Sequence, residues 1–348
     1  MTAGSVSRDN VAGFKLHDID WHGIADRVIW VPEVYRRGTL DERTVRRILR
    51  CTERSLAALR ESGLTPVKGE AGTRYDACDI RNAALYSGTG ATEVEAAMRP
   101  VLSRVRGRAS TPLSHRHWSY HLSISAPDPA TGAEYAVHPP SDGTDAEGEV
   151  TLTNGQRPRR SGKRILVPGG TAIRGVIRTS ASSAELLSPT ISGVVDKFLE
   201  SGFRWHFVPA ELKHDPQAAS AVGMGNCEML SLVLCDQLTA VGLAAEIYRG
   251  WVAGVRAMPH CWIEVYDIDG KPKIIDPGVL TIAKYLGPLE ATDYRSLIGT
   301  KLEVIIPTRC TLQESIATAI THRANFPCDV RFQCVAVPAG DAGTRRHQ

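Results

Sequence analysis

The stretch GMGNCEMLSLVLCDQLTAVGL, residues 223–243, decides how the chain is read. Leu230, Val233, Leu234, Leu238 and Val241 recur at helical spacing, and Gly242 suits the left-handed position just past a helix end. Asn226 is a good N-cap residue, so the helix is predicted to begin at Cys227. Unpaired amides and the helix dipole favour a thiolate there. Gly223 and Gly225 let another backbone or a substrate approach the sulfur. The segment therefore reads as a cysteine nucleophile at a helix start or as a plain buried cysteine, and it does not choose between them alone.

Working outward, a nucleophilic cysteine needs a base, and the base needs an orienting group. Of eleven histidines, His260 is the best placed. It opens the strand HCWIEVYDI, on one face with Trp262 and Glu264. The next strand ends at Asp276 in IIDPG. An acid at a strand end could accept from one imidazole nitrogen and leave the other toward Cys227, or it could merely cap a turn. Parity tests this. A two-residue Asp269-Gly270 turn puts Asp276 opposite Ile263, on the face away from His260. A three-residue loop with Gly270 left-handed pairs Asp267 with Lys271 and puts Asp276 opposite Trp262, on the His260 face. A triad requires the odd loop.

The ordered blocks, G-x-C at a helix start, a helix ending LTAVGLAAE, a strand, then HCWIEVY and IIDPG, resemble the transglutaminase-like superfamily over about residues 190–285. The upstream helix and FRWHF, residues 203–207, resemble the segment that precedes the nucleophile there. The resemblance implies an α+β fold with a papain-like core, in which an antiparallel sheet packs on the nucleophile helix. It implies Cys227 as nucleophile, His260 as general base and acid, and Asp276 as orienter. Trp205, Asn226 and Trp262 would line the site. The Cys227 N–H would supply one oxyanion donor, and Trp205 and His206 stand as candidates for a second. Cys261 departs from the family, which often has a small apolar residue there. By strand alternation it points to the opposite face and reads as core.

The implied reaction is ping-pong acyl transfer. The donor is a peptide, protein or carrier-bound thioester and the acceptor an amine, with no metal and no organic cofactor. Hydrolysis of an amide or thioester by the same residues is the alternative, and a non-catalytic binding protein on this fold is a third reading.

The remaining features bound the problem. The 348 residues are 43% hydrophobic and 23% charged, with a formal net charge of +3, so neither disorder nor nucleic-acid binding is suggested. No apolar run approaches a membrane span or a secretory leader. The expectation is a cytoplasmic bacterial protein, with export as an effector left open. Eight scattered cysteines without a C-x-x-C pair point to free thiols.

The expected domains are an α/β amino-terminal region of unknown role (1–138), an exposed loop or linker (139–164) and a transglutaminase-like domain (165–348). Residues 139–164 carry an acidic and then a basic turn-rich run, which reads as a solvated loop and could alternatively touch an acidic partner. Capping-box patterns predict helices over about Leu40–Glu61, from Thr92 (kinked or stopped at Pro100) and after Thr311. His117–Ser125 reads as a strand. His115, His117 and His121 allow a metal site, with a polar strand edge the simpler reading. Arg174, Arg178, Arg249 and Arg256 could line an anion-binding cleft or be ordinary solvated arginines.

Overall fold

In a computed structural model the chain is a mixed α+β protein with several antiparallel sheets. The residues described are 21–69, 72–89, 92–98, 115–125, 134–141, 150–183, 185–213, 215–254, 257–286, 297–320 and 325–338. Pro100 and Arg256 lie outside them. No helix among the described residues is long and apolar enough to cross a membrane.

The chain divides into two compact units, residues 1–96 with 206–218 and residues 97–205 with 219–348. This differs from a division at 139–164. That stretch falls inside the second unit and contributes the strands Val150–Leu152 and Arg159–Ser161. The second of these forms a hairpin with Arg164–Pro168 through a left-handed Gly162 (φ 60°).

In the first unit, Gly72–Asp76 runs between Gly38–Asp41 and Val67–Gly69 in an antiparallel sheet. The single helix expected over Leu40–Glu61 is two helices. Thr39 and Leu40 belong to a strand, so Asp41 caps Glu42–Leu49 instead, accepting from Thr44 N–H at 2.7 Å. Arg50 is left-handed (φ 51°), and Thr52 starts a new helix, Glu53–Glu61. The Thr92–Glu95 capping box forms as expected, each side chain accepting from the other residue's N–H at 3.1 Å.

The second unit carries the site. Three of its helices are α1 (Pro189–Glu200), α2 (Cys227–Ala240) and α3 (Pro277–Leu286). Its site-bearing sheet has β1 (Ala245–Val252), β2 (Met258–Tyr266), β3 (Pro272–Ile275) and β4 (Ile305–Thr311), in the order β3-β2-β1-β4. All neighbours are antiparallel. Leu230, Leu234 and Leu238 of α2 are buried in the core with Ile247, Ile263 and Val265 of the sheet. Val241 is not on the buried stripe; it sits at the C-cap and is half exposed.

Gly250 faces His260 across the β1–β2 pair. A Cβ there would lie 2.4 Å from the Ile306 backbone oxygen and 3.0 Å from the Trp262 ring, so the close approach of β4 and the seat of Trp262 both need glycine.

A second four-stranded sheet holds Val150–Leu152, Ile173–Ser180, His115–Ser125 and Asp329–Val337. Trp118, Tyr120 and Leu122 alternate inward from it, and Phe332 stacks on Trp251 of β1 at 4.1 Å. The Thr311–Glu314 capping box forms only in half: Glu314 Oε2 accepts from Thr311 N–H at 3.1 Å and from its hydroxyl at 3.3 Å, while Glu314 N–H goes to the Thr311 backbone oxygen and closes a turn, not a helix. The following residues alternate at period two, burying Ala317 and Ala319, and pair as a strand with Glu134–Val137.

One buried carboxylate ties α1 to the β2–β3 hairpin. Asp267 accepts from Leu187 N–H at 2.8 Å and from Ser188 N–H at 3.0 Å, just where Ser188 caps α1. Asp267→Ala leaves both donors without that acceptor, so unfolding free energy is expected to fall by about 2–4 kcal/mol, read from urea midpoints. A midpoint unchanged from the parent protein would show that the tether is not needed.

Candidate active site

The hairpin carries the odd loop. Gly270 is left-handed (φ 70°), Asp267 N–H bonds Lys271 C=O at 3.1 Å, and Ile263 pairs with Ile275. This register continues to Asp276 opposite Trp262. Asp276 is not the last strand residue; β3 stops at Ile275 and Asp276 turns the chain into α3. Its two oxygens divide the work. Oδ1 accepts from Val279 N–H at 2.9 Å and caps α3, while Oδ2 lies 2.5 Å from His260 Nε2. The turn-capping role and the orienting position coexist in one carboxylate.

Asn226 caps α2, its Oδ1 accepting from Met229 N–H at 3.0 Å, and Cys227 is the first helical residue. The early end of β3 leaves the edge of β2 open beyond Ile263. The Cys227 sulfur sits on that edge, hydrogen-bonded by the Cys261 N–H and 3.9 Å from the Pro259 carbonyl oxygen. N–H and C=O groups two residues apart on a strand point to the same edge, so one sulfur meets both. His260 and Cys261, on opposite faces of β2, both hydrogen-bond the sulfur with their side chains. Cys261 is buried, as a core residue should be, but it is not turned away from Cys227.

Electrostatics follow from these contacts. The Cys261 hydrogen bond outweighs the effect of burial on Cys227 and, with the His260 hydrogen bond and charge, holds its thiol well below the usual range. Burial works against charge on His260, but the Asp276 carboxylate and the Cys227 sulfur outweigh it and push the imidazole up to about 10. Both shifts favour a thiolate–imidazolium pair. Elsewhere burial pushes thiols up, Cys78 to about 12 and Cys51, Cys310 and Cys334 to about 11. All eight cysteines are free thiols.

Trp205 reaches the site through a short parallel pairing in which Arg204 and Trp205 lie beside Met224 and Gly225. Gly278 of α3 completes the enclosure. A Cβ on it would lie 3.3 Å from Cys227 Cβ and 3.4 Å from both Asp276 Oδ1 and Trp205 Cδ1. Trp262 is buried and stacks on His260 with ring centroids 6.4 Å apart, so it buttresses the imidazole. Asn226 acts through its cap. His206 belongs to the first unit, where its Nε2 accepts from Ile29 N–H at 3.0 Å and its ring stacks on Tyr86. Gly278 carries no chemical group and left no signal in the sequence beyond following Asp-Pro.

The sequence matches no protein-family model, and no curated protein is similar to it. Among solved structures it is similar to a candidate cysteine protease from Cytophaga hutchinsonii. The identity is 10% and the TM-score 0.39, over 66% of this chain and 92% of that one.

The other candidates resolve differently. His115 and His117 meet ring edge to face at 6.1 Å on their strand. Arg174 and Arg178 are exposed, and Arg249 contacts Glu228 at 3.4 Å and the Leu312 carbonyl at 3.1 Å. A different trio, His138, Cys310 and Glu314, brings its donor atoms within 4.8 Å of one another. Arg164 already fills the space between two of them, donating to His138 Nε2 at 2.8 Å and Glu314 Oε1 at 3.3 Å.

Proposed function

We propose that the chain is a cysteine-nucleophile acyl-transfer enzyme with a papain-like, transglutaminase-like core. The observation that carries this reading is the hydrogen-bonded series Cys227–His260–Asp276, with Asp276 Oδ2 at 2.5 Å from His260 Nε2 and the sulfur at the start of α2. The order of sequence blocks resembling the transglutaminase-like superfamily agrees with it. The Cys227 thiolate attacks the acyl carbon of an amide or thioester. The charge on oxygen develops near the first amides of α2, the Cys227 N–H among them. His260 gives its proton to the leaving group, and the acyl group remains on Cys227. The neutral imidazole then takes a proton from an incoming amine, which attacks and releases the amide. Asp276 holds the imidazole in register throughout. Trp205 and Gly278 border the space in which the acyl group would lie.

Hydrolysis is the second reading. Cys227 is partly exposed, which lets water compete with the amine as acceptor.

The test uses the full chain with two donors, an N-acetylcysteamine thioester and a glutamine-containing dipeptide, with or without a primary amine. The expected result is a Cys227-linked acyl group by mass spectrometry, discharged faster when the amine is present. Discharge unaffected by amine would place the chain among hydrolases. No acylation by either donor, while Cys227 alkylates normally, would overturn the proposal in favour of a binding protein.

A further inference from the structure

No step of the acyl chemistry consumes the Cys261 thiol, which is hydrogen-bonded to the Cys227 sulfur. Two features make the pair unusual within this chain. The Cys227 sulfur is on the open edge of β2, 3.9 Å from the Pro259 carbonyl oxygen, where it accepts from both the N–H and the S–H of Cys261, so the two sulfurs are neighbours. Cys227 is also partly exposed, whereas Cys261 is buried behind it. An oxidant from solvent therefore meets Cys227 first, and the nearest second sulfur is already in contact.

We propose that Cys227 and Cys261 form a reversible dithiol–disulfide couple driven by hydroperoxides. The Cys227 thiolate attacks the outer oxygen of the hydroperoxide. An S–O bond forms and the O–O bond breaks. The departing alkoxide, or hydroxide from hydrogen peroxide, takes a proton from the His260 imidazolium and leaves as alcohol or water. Cys227 is then a sulfenic acid. The Cys261 sulfur attacks it, the S–O bond breaks, and hydroxide leaves with the Cys261 proton as water. Two thiols and one hydroperoxide yield one disulfide, one alcohol or water, and one further water. A thiol reductant returns both electrons and both protons. The couple stops Cys227 at the disulfide and keeps it from the irreversible sulfinic acid. It requires the Cys227 thiolate but no acyl chemistry.

The experiment treats the full native chain with a severalfold molar excess of hydrogen peroxide, blocks remaining thiols with N-ethylmaleimide and maps the peptides by mass spectrometry. The expected result is the loss of two hydrogens, located in a link between Cys227 and Cys261, with dithiothreitol restoring Cys227 alkylation. In Cys261→Ser the link is absent, and Cys227 gains two oxygens that dithiothreitol does not remove. The wild-type chain alone is decisive should that variant fold poorly. Direct conversion of wild-type Cys227 to the sulfinic acid, a link to another cysteine, or no oxidation at Cys227 would each overturn the proposal. Acyl donors that fail on a chain which still forms the link would count against the acyl-transfer reading only.

Discussion

Iodoacetamide at pH 6 is expected to alkylate Cys227 and to leave the other seven thiols unmodified over the same interval. An ordinary thiol with a pKa of about 8.5 is less than one per cent thiolate at that pH. Burial raises the thiols of Cys51, Cys78, Cys235, Cys310, Cys328 and Cys334 further. Cys261 is raised because it donates to Cys227. Cys227 is displaced the other way, and its imidazolium partner persists until about pH 10. Its alkylation rate should therefore stay nearly level from weakly acidic pH to about 9, where a free thiol would climb about tenfold per unit up to its own pKa. His260→Ala removes the cation and one hydrogen bond and should cut the rate at pH 6 by about 10²-fold. Site-resolved mass spectrometry across the pH range reads all eight thiols at once. A Cys227 profile that rises like a free thiol and ignores His260→Ala would show that no ion pair exists.

Asp276→Ala should cost both stability and reactivity, because one carboxylate serves two partners. Removing Oδ1 uncaps α3 at Val279, worth about 1–2 kcal/mol. Removing Oδ2 leaves a buried imidazole without its 2.5 Å partner, so it both loses orientation and falls in pKa. Acyl transfer should drop by about 10²–10⁴-fold, as loss of a triad acid does. Asp276→Asn separates the two duties. Its carbonyl oxygen can still cap α3, so it should keep the roughly 1–2 kcal/mol of unfolding free energy that the alanine variant loses there. Its lost charge should still lower the upper pH limit of the Cys227–His260 pair. Equal midpoints for the alanine variant and the parent would mean that the cap carries no weight. An unchanged pH profile in both variants would mean that Asp276 does not support the imidazolium.

Much of this site was legible because local chemistry fixed it. Asn226 before an apolar helix places Cys227 at the first turn whatever the rest of the chain does. The three-residue loop at Gly270 settles the face of Asp276 by parity alone. Cys261 was misread for a specific reason. Alternation assigns side chains to faces and assumes that a partner approaches from a face. The Cys227 sulfur approaches the edge, where β3 has ended, and there both faces are within reach. Tertiary context also decided against two helices that capping patterns suggested. Left-handed Arg50 splits one, and strand pairing of Ala317–Ile320 replaces the other. Beyond its helix caps the first unit offered no catalytic motif to read, since its ordering groups, such as Asp79 accepting from Val31 N–H at 2.7 Å, serve packing and leave only ordinary residue types in the sequence.

The hairpin between Asp267 and Lys271 has a consequence for how such a gene can drift. Surface loops are ordinarily where single-codon insertions and deletions accumulate without harm. Here the loss or gain of one codon leaves every side chain of the site encoded, yet it sends the Asp276 carboxylate to the wrong side of the sheet. Length at this tip is therefore expected to be constrained as strictly as a catalytic side chain. Its identity is freer: replacements that tolerate a left-handed residue at 270 should pass, while frame-preserving indels of one residue should be purged from any functional library built on this chain.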